Sequence, residues 1–210
     1  YFDYGKMSDA ERVEVFGDLT SRLAYYIRHN PTVLNYRNGD SFLDAGCGKG
    51  QNIKALVANF PSSPLNGFDV NEGALRVITT ALNDNPQVHI EQGSLLDFEY
   101  LKTYPARSFD HIVVSHVFSF LGGISLTETK MLRQKLIDLL IRIAGKTVII
   151  MDSHIFSEKQ GIEVIIEQNT RCSIKESLAP YFAGHLSRGE LYALHSPENK
   201  AFVFRISAPT

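Results

Sequence analysis

At 210 residues the chain is long enough for one domain with a substantial core, and its composition, 44% hydrophobic and 21% charged with a net charge of -2, is that of an ordinary globular protein. A mildly acidic balance argues against a dedicated nucleic-acid binder, which carries a basic stripe. No apolar run approaches the roughly 18 residues of a spanning helix, and the amino terminus lacks the basic-then-apolar pattern of a signal peptide.

A chain that opens at Tyr1 rather than Met is expected to be part of a longer one. Its first thirty residues read as a helix. Ser8 and Glu11 form a capping box, Val13, Phe16, Leu23 and Ile27 give an apolar face, and Asn30-Pro31 ends it. Strand and helix signals then alternate. "SFLDAG" is a short apolar strand. In "NIKALVANF", Ile53, Leu56, Val57 and Phe60 share one helical face. "PLNGFDV" is a second strand, and "NEGALRVITTAL" a helix capped by Asn71 with Ala74, Val77, Ile78 and Ala81 inward. "QVHIEQGS" and "FDHIVVSHV" are the third and fourth strands. An amphipathic helix from about Thr127 to Ile143, closed by Gly145, precedes a fifth strand, "KTVIIMDS".

After Asp152 the pattern changes. "GIEVIIEQNTR" fits helix or strand equally. Ser173 and Glu176 can cap a short helix through Tyr181. "ELYALHS" and "AFVFRIS", separated by "PENK", read as an antiparallel hairpin. Strands separated by helices predict an α/β fold with a parallel sheet covered on both faces. Cys47 and Cys172 form neither a disulfide framework nor a metal motif, so a reduced, cytoplasmic setting is expected. The histidines at 29, 89, 111, 185 and 195 are scattered without ligand spacing, and no metal is expected. The charges of "TETKMLRQKLID" read as a solvated helix face.

The loop after the first strand, "DAGCGKG", carries the chemistry. In an open parallel sheet, ligands bind beyond the carboxyl ends of the strands, at the point where strand order reverses. Glycines there admit positive φ and let a ligand reach main-chain N–H groups. A dinucleotide fingerprint needs G-x-G-x-x-G, but counting from Gly46 its last position falls on Gln51. The second strand ends in Asp69, an acid placed to accept hydrogen bonds from ribose hydroxyls. The third ends in "GSLLDF", adding Ser94, Leu95 and Asp97 to the same crevice.

"FLDAGCGKG", "GFDV", "GSLLDF" and "FDHIVVSHVFSFL" together resemble the successive motifs of class I S-adenosylmethionine-dependent methyltransferases, over residues 41 to about 155. The resemblance implies a three-layer α/β/α Rossmann-like fold. Its seven-stranded, mostly parallel sheet has the order 3-2-1-4-5-7-6, with strand 7 antiparallel. It implies S-adenosylmethionine as cofactor and S-adenosylhomocysteine as product. By motif position, Asp44 lies near the methionine amino group, and Gly46, Cys47 and Gly48 line the methionine and ribose. Asp69 holds the ribose hydroxyls, Val70 lies beside the adenine, Ser94 and Leu95 border the base, and Asp97 is near its exocyclic amine. Ser115 and His116 face the methionine end and the methyl group. The acid in the loop suits a cationic, amino-acid-bearing ligand.

Methyl transfer mainly requires alignment and exclusion of water, with a base needed only for a protonated acceptor. His116 and His154, after strands four and five, are the candidate bases. Residues 1–38 are expected to form a helical lid over a methyltransferase domain at 39–210, with the aromatics of "YFDYG", Tyr4 among them, contacting the acceptor beside Phe118. Residues 115–118 read "SHVF", not the Asp/Asn-Pro-Pro-Tyr of amino-methylating nucleic-acid enzymes, and the loop after them lacks the paired glutamates of protein-arginine enzymes. Catechol-type enzymes cluster acids at the ends of strands four and five, where this chain has Asp152 alone. Aminopropyl transferases want an aspartate where Ser115 stands. By exclusion the acceptor is a small molecule, with O-methylation favoured and neither nucleic acid nor membrane as partner. A non-catalytic cofactor-binding subunit and a nicotinamide-dependent oxidoreductase are the alternatives.

Overall fold

The computed structural model describes residues 22–118, 121–123, 125–151, 164–167, 171–174, 178–195 and 200–207. The helix start at Ser8, the aromatic segment with Tyr4, and His154 lie outside them. The chain divides into two compact units, Tyr1–Ser94 and Leu95–Thr210.

The first unit contains α1 (Arg22–His29), α2 (Pro31–Leu34), β1 (Phe42–Ala45), α3 (Gln51–Asn59), β2 (Leu65–Asp69), α4 (Glu72–Leu82) and β3 (Val88–Gln92). Helix α1 ends just before Asn30-Pro31, as the sequence predicts. Pro31 restarts the chain as the first residue of α2, where its missing N–H has no helical partner to lose. The three strands are parallel, with Phe42 opposite Leu65 and Leu65 opposite Val88. All four residues of β1 are buried, as a central strand requires, whereas none of β3 is. Phe42 stacks on Phe60 at 5.5 Å, and the Tyr36 ring meets Phe42 edge-on at 5.1 Å. Asn71 caps α4 by accepting from the Ala74 N–H at 3.0 Å. The inward face of α4 is Ala74, Leu75 and Ile78, whereas Val77 and Ala81 are exposed. The expected face is corrected by a rotation of about one residue: the bulkier Leu75 takes the buried position.

The second unit contains α5 (Phe98–Thr103), β4 (Phe109–Ser115), α6 (Leu126–Ile143), β5 (Ala144–Met151), β6 (Val164–Glu167), β7 (Arg171–Ile174), α7 (Ala179–Phe182), a 3₁₀ segment (Ala183–Arg188), β8 (Gly189–His195) and β9 (Lys200–Ile206). Strands β4 and β5 are parallel, pairing Ile112, Val113 and Val114 with Val148, Ile149 and Ile150. β9 runs antiparallel to both β5 and β8. The ambiguous stretch after residue 161 holds β6, which pairs with β7 in a separate antiparallel ribbon. Ser173 lies in β7 opposite Ile165, so it caps no helix; α7 starts at Ala179 with Pro180 in its first turn and no side-chain cap. Gly145 does not close α6 either. β5 begins at Ala144, whose extended backbone (φ -82°, ψ 139°) leads straight from helix to strand. Nor is "TETKMLRQKLID" solvated throughout: Thr129 and Arg133 are fully buried. They share the inward stripe with Leu136, Ile137 and Leu140, at the spacing of one helical face.

The seven-stranded sheet has the order β3-β2-β1-β4-β5-β9-β8. With the ribbon set aside, the last two sheet strands are sixth and seventh in the chain, giving 3-2-1-4-5-7-6 with the seventh antiparallel. This is the Rossmann-like arrangement the motifs imply.

Candidate functional site

In the first unit the site grows from the end of β1. Asp44 is fully buried. Its Oδ1 accepts a hydrogen bond from the Asn52 side-chain amide at 3.1 Å, while Oδ2 is buried with no hydrogen-bond partner among the described residues. Burial pushes the carboxyl up to about 7, the Asn52 hydrogen bond opposes that rise, and the negative Asp69 adds to it. A bare acceptor oxygen in the interior is costly unless a ligand completes it.

The loop beyond is tied to β2. Gly46 and Cys47 both donate their N–H to the Phe68 carbonyl at 2.9 Å, and the Gly50 N–H closes a turn on the Cys47 carbonyl at 2.9 Å. Asp69 is fixed by two main-chain donors: the Gly48 N–H reaches Oδ2 at 2.9 Å and the Asn71 N–H reaches Oδ1 at 2.8 Å. Each carboxylate oxygen retains capacity for a second donor, so a rigidly held Asp69 can still take a pair of hydroxyls. The Gly93 N–H bonds the Asp69 carbonyl at 3.1 Å, tying the end of β3 to the end of β2.

Two of the glycines do different jobs. Gly48, at φ +52°, has nothing among the described residues within 4 Å of where a Cβ would stand, which leaves its outer side open to a ligand. Gly50, at φ +81°, has no such space: a Cβ there would lie 2.0 Å from Ile78 Cδ1. Gly50 thus lets the loop pack against α4 and starts α3. Helix packing is the work of the third glycine in a dinucleotide loop, here done one residue earlier than that spacing demands. Cys47 is buried, and burial together with Asp44 and Asp69 pushes its thiol far above its ordinary value, so it is no nucleophile. Val70 is half exposed beyond Asp69.

In the second unit, Leu95 is buried and Asp97 is exposed. Asp97 Oδ1 accepts from the Tyr100 N–H at 3.0 Å, capping α5. Ser115 ends β4 opposite Met151, and His116 follows with its N–H on the Met151 carbonyl at 2.8 Å. His116 has a positive φ of 54°, a conformation that non-glycine residues hold only where the surroundings impose it. Phe118 is fully buried, with the Arg133 guanidinium 5.3 Å above its ring and Tyr181 edge-on at 6.1 Å. Those neighbours account for its burial without an acceptor. His111 is likewise buried and bonds Thr147 at 2.8 Å. Among the described residues no group of His, Cys, Asp and Glu can hold a metal ion, and no helix is long and apolar enough to cross a membrane.

Residues 42–133 match a family model described as a methyltransferase domain. Over those residues the chain is a class I S-adenosylmethionine-dependent methyltransferase domain. The bare Asp44 oxygen and the open side of Gly48 fit the methyl donor of this family, whose methionine end carries an ammonium. Solved structures share the methyltransferase fold at low identity. A SAM-dependent methyltransferase from Aquifex aeolicus is 15% identical with a TM-score of 0.56, covering 95% of this chain and 98% of its own. The N-terminal domain of EvdMO1 with S-adenosylhomocysteine bound is 16% identical with a TM-score of 0.65, covering 95% and 85%. An O-methyltransferase family protein from Burkholderia thailandensis is 12% identical with a TM-score of 0.65, covering 96% and 61%. No curated protein sequence is significantly similar.

Sequence reasoning missed two residues of this methyltransferase. Asn52 is a polar side chain four residues before Leu56, on the buried face of α3, and that register was the available signal. Arg133 gives the same signal on α6, in line with Thr129 and Ile137.

Proposed function

We propose that the methyltransferase acts on a hydroxyl of a small-molecule acceptor, with His116 as the base. Bound S-adenosylmethionine supplies a methyl group on a sulfonium that already carries its leaving group. In the first unit, Asp44 takes the donor's ammonium on its bare oxygen, the Gly46–Gly48 backbone lines the methionine and ribose, and Asp69 receives the ribose hydroxyls. Val70 and Ser94 border the adenine. In the second unit, Leu95 and Asp97 serve the base, and Ser115 and His116 serve the reacting end. The His116 imidazole takes the acceptor's proton as the oxygen attacks. His154 is the second candidate for that role, and Tyr4 is a candidate acceptor contact.

The observation that carries this reading is the backbone of His116. A histidine held at positive φ immediately after the last residue of β4 is a strained group at the ligand-binding end of a parallel strand. The Burkholderia protein of the same fold is described as an O-methyltransferase family member, which agrees with a hydroxyl acceptor. Matched panels of hydroxyl and amine acceptors, with a methyl-labelled donor, test the proposal. Label on hydroxyl compounds supports it, and label confined to amines overturns it. His116→Ala should lower turnover by about 10² to 10⁴ while S-adenosylhomocysteine affinity stays within about twofold.

A further inference from the structure

The buried contact between Asn52 and Asp44 belongs to no motif that named the family. Asn52 is the second residue of α3, and its amide reaches back over the glycine loop to Asp44 Oδ1 at 3.1 Å. Both side chains are buried. The bond does two things at once. It holds Oδ1, and among the described residues Oδ2 is left without a hydrogen-bond partner. It is also the interaction that favours the charged form of Asp44 against burial and the negative Asp69.

We infer that Asn52 is a positioning residue for methyl-donor binding: it orients the Asp44 carboxylate to receive the donor's amino group. The inference rests on the reading that Asp44 meets that group. The titratable groups facing Asp44 are Asp69 at the end of β2 and the Cys47 thiol in the loop; burial holds the thiol neutral. A change at Asn52 therefore acts on the charge of Asp44 first. Without the amide, Asp44 holds its proton to higher pH and offers an ammonium a neutral partner. An aspartate at position 52 would have the same effect more strongly, because two adjacent carboxylates share one proton.

The test compares two ligands across pH 6 to 9. S-adenosylhomocysteine carries the amino acid end, and 5′-methylthioadenosine lacks it. Asn52→Leu should weaken S-adenosylhomocysteine roughly tenfold at pH 7, the scale of a hydrogen bond to a charged group. It should leave 5′-methylthioadenosine within about twofold and move the affinity-versus-pH curve for the larger ligand toward alkaline pH. Titration of the free ligand's amino group is common to wild type and variant and cancels in the comparison. Asn52→Asp, nearly the same volume, should shift the curve further. Equal weakening of both ligands, or an unshifted curve, overturns the inference, because a merely structural role predicts those results. Asp44→Asn separates the two layers. If it binds S-adenosylhomocysteine like wild type, the reading of Asp44 itself is overturned. If it weakens that ligand while both Asn52 variants leave it unchanged, only the role of Asn52 falls.

Discussion

Replacing Asp44 by Asn should make the ligand-free protein more stable while weakening its hold on the methyl donor. The Asp44 carboxyl stands at about 7 in the folded chain against an ordinary value of 3.8. Between those values the native state holds a proton that the unfolded chain has released, so stability falls as pH rises through the window. At about 1.4 kcal/mol per pH unit, the raised group costs the native state about 4 kcal/mol above pH 7. Asparagine removes that charge and keeps an oxygen for the Asn52 amide, but its own NH₂ then faces the unpartnered position of Oδ2, at a cost of about 1–3 kcal/mol. A net gain of about 2 kcal/mol at pH 8 remains, shrinking as pH falls and reversing toward pH 4, where Asp44 is neutral in the folded chain and only about half ionised in the unfolded one. For a protein of this size such a gain raises Tm by about 4–8 °C. Urea denaturation of ligand-free wild type and Asp44→Asn between pH 4.5 and 8.5 measures it. Saturating S-adenosylhomocysteine should invert the ranking at pH 8, because it stabilises only the form that binds it. Parallel stability-versus-pH profiles for the two proteins would refute the reasoning, since the difference must depend on ionisation.

The glycine loop gives a contrasting pair. Gly50→Ala forces a left-handed residue and drives a methyl into buried Ile78, so denaturation should show a loss of about 2–4 kcal/mol. An accompanying Ile78→Ala change should recover only the steric part. Gly48→Ala meets open space and should cost only about 1–2 kcal/mol of backbone strain, while weakening S-adenosylhomocysteine by more than about tenfold in calorimetry. In the second unit, a Cβ on Gly189 would stand 2.2 Å from the Arg205 carbonyl oxygen, where β8 meets β9. Gly189→Ala should therefore lower stability by about 1–3 kcal/mol and leave donor affinity unchanged.

The parts of the fold legible in the sequence were those with a short-range cause. Asn71 announces α4 because its side chain has an N–H three residues on to accept. The hairpin of β8 and β9 announces itself because two alternating runs flank a turn-rich gap. The buried runs 112–114 and 148–150 read as central strands, and they pair as such. Periodicity alone misplaced the α4 face, because Leu75 and Val77 differ only in which side of the helix the sheet claims. It also hid Arg133, whose charge reads as solvent-facing until the structure shows its Nε–H donating to the Leu121 carbonyl at 2.9 Å beneath the helix. In the site, the acid and the glycines were legible as a ligand loop, and Asp69 as a strand-end acceptor. What sequence could not supply was the division of labour: one Asp44 oxygen satisfied and one bare, Gly48 open and Gly50 closed. Those distinctions depend on contacts between residues far apart in the chain, such as Gly50 with Ile78.

The most direct test is a crystal structure of this methyltransferase with S-adenosylhomocysteine. The ligand's amino nitrogen is predicted to lie about 3 Å from Asp44 Oδ2, with both ribose hydroxyls on Asp69. An amino group seated elsewhere, with Oδ2 still bare, would contradict the account.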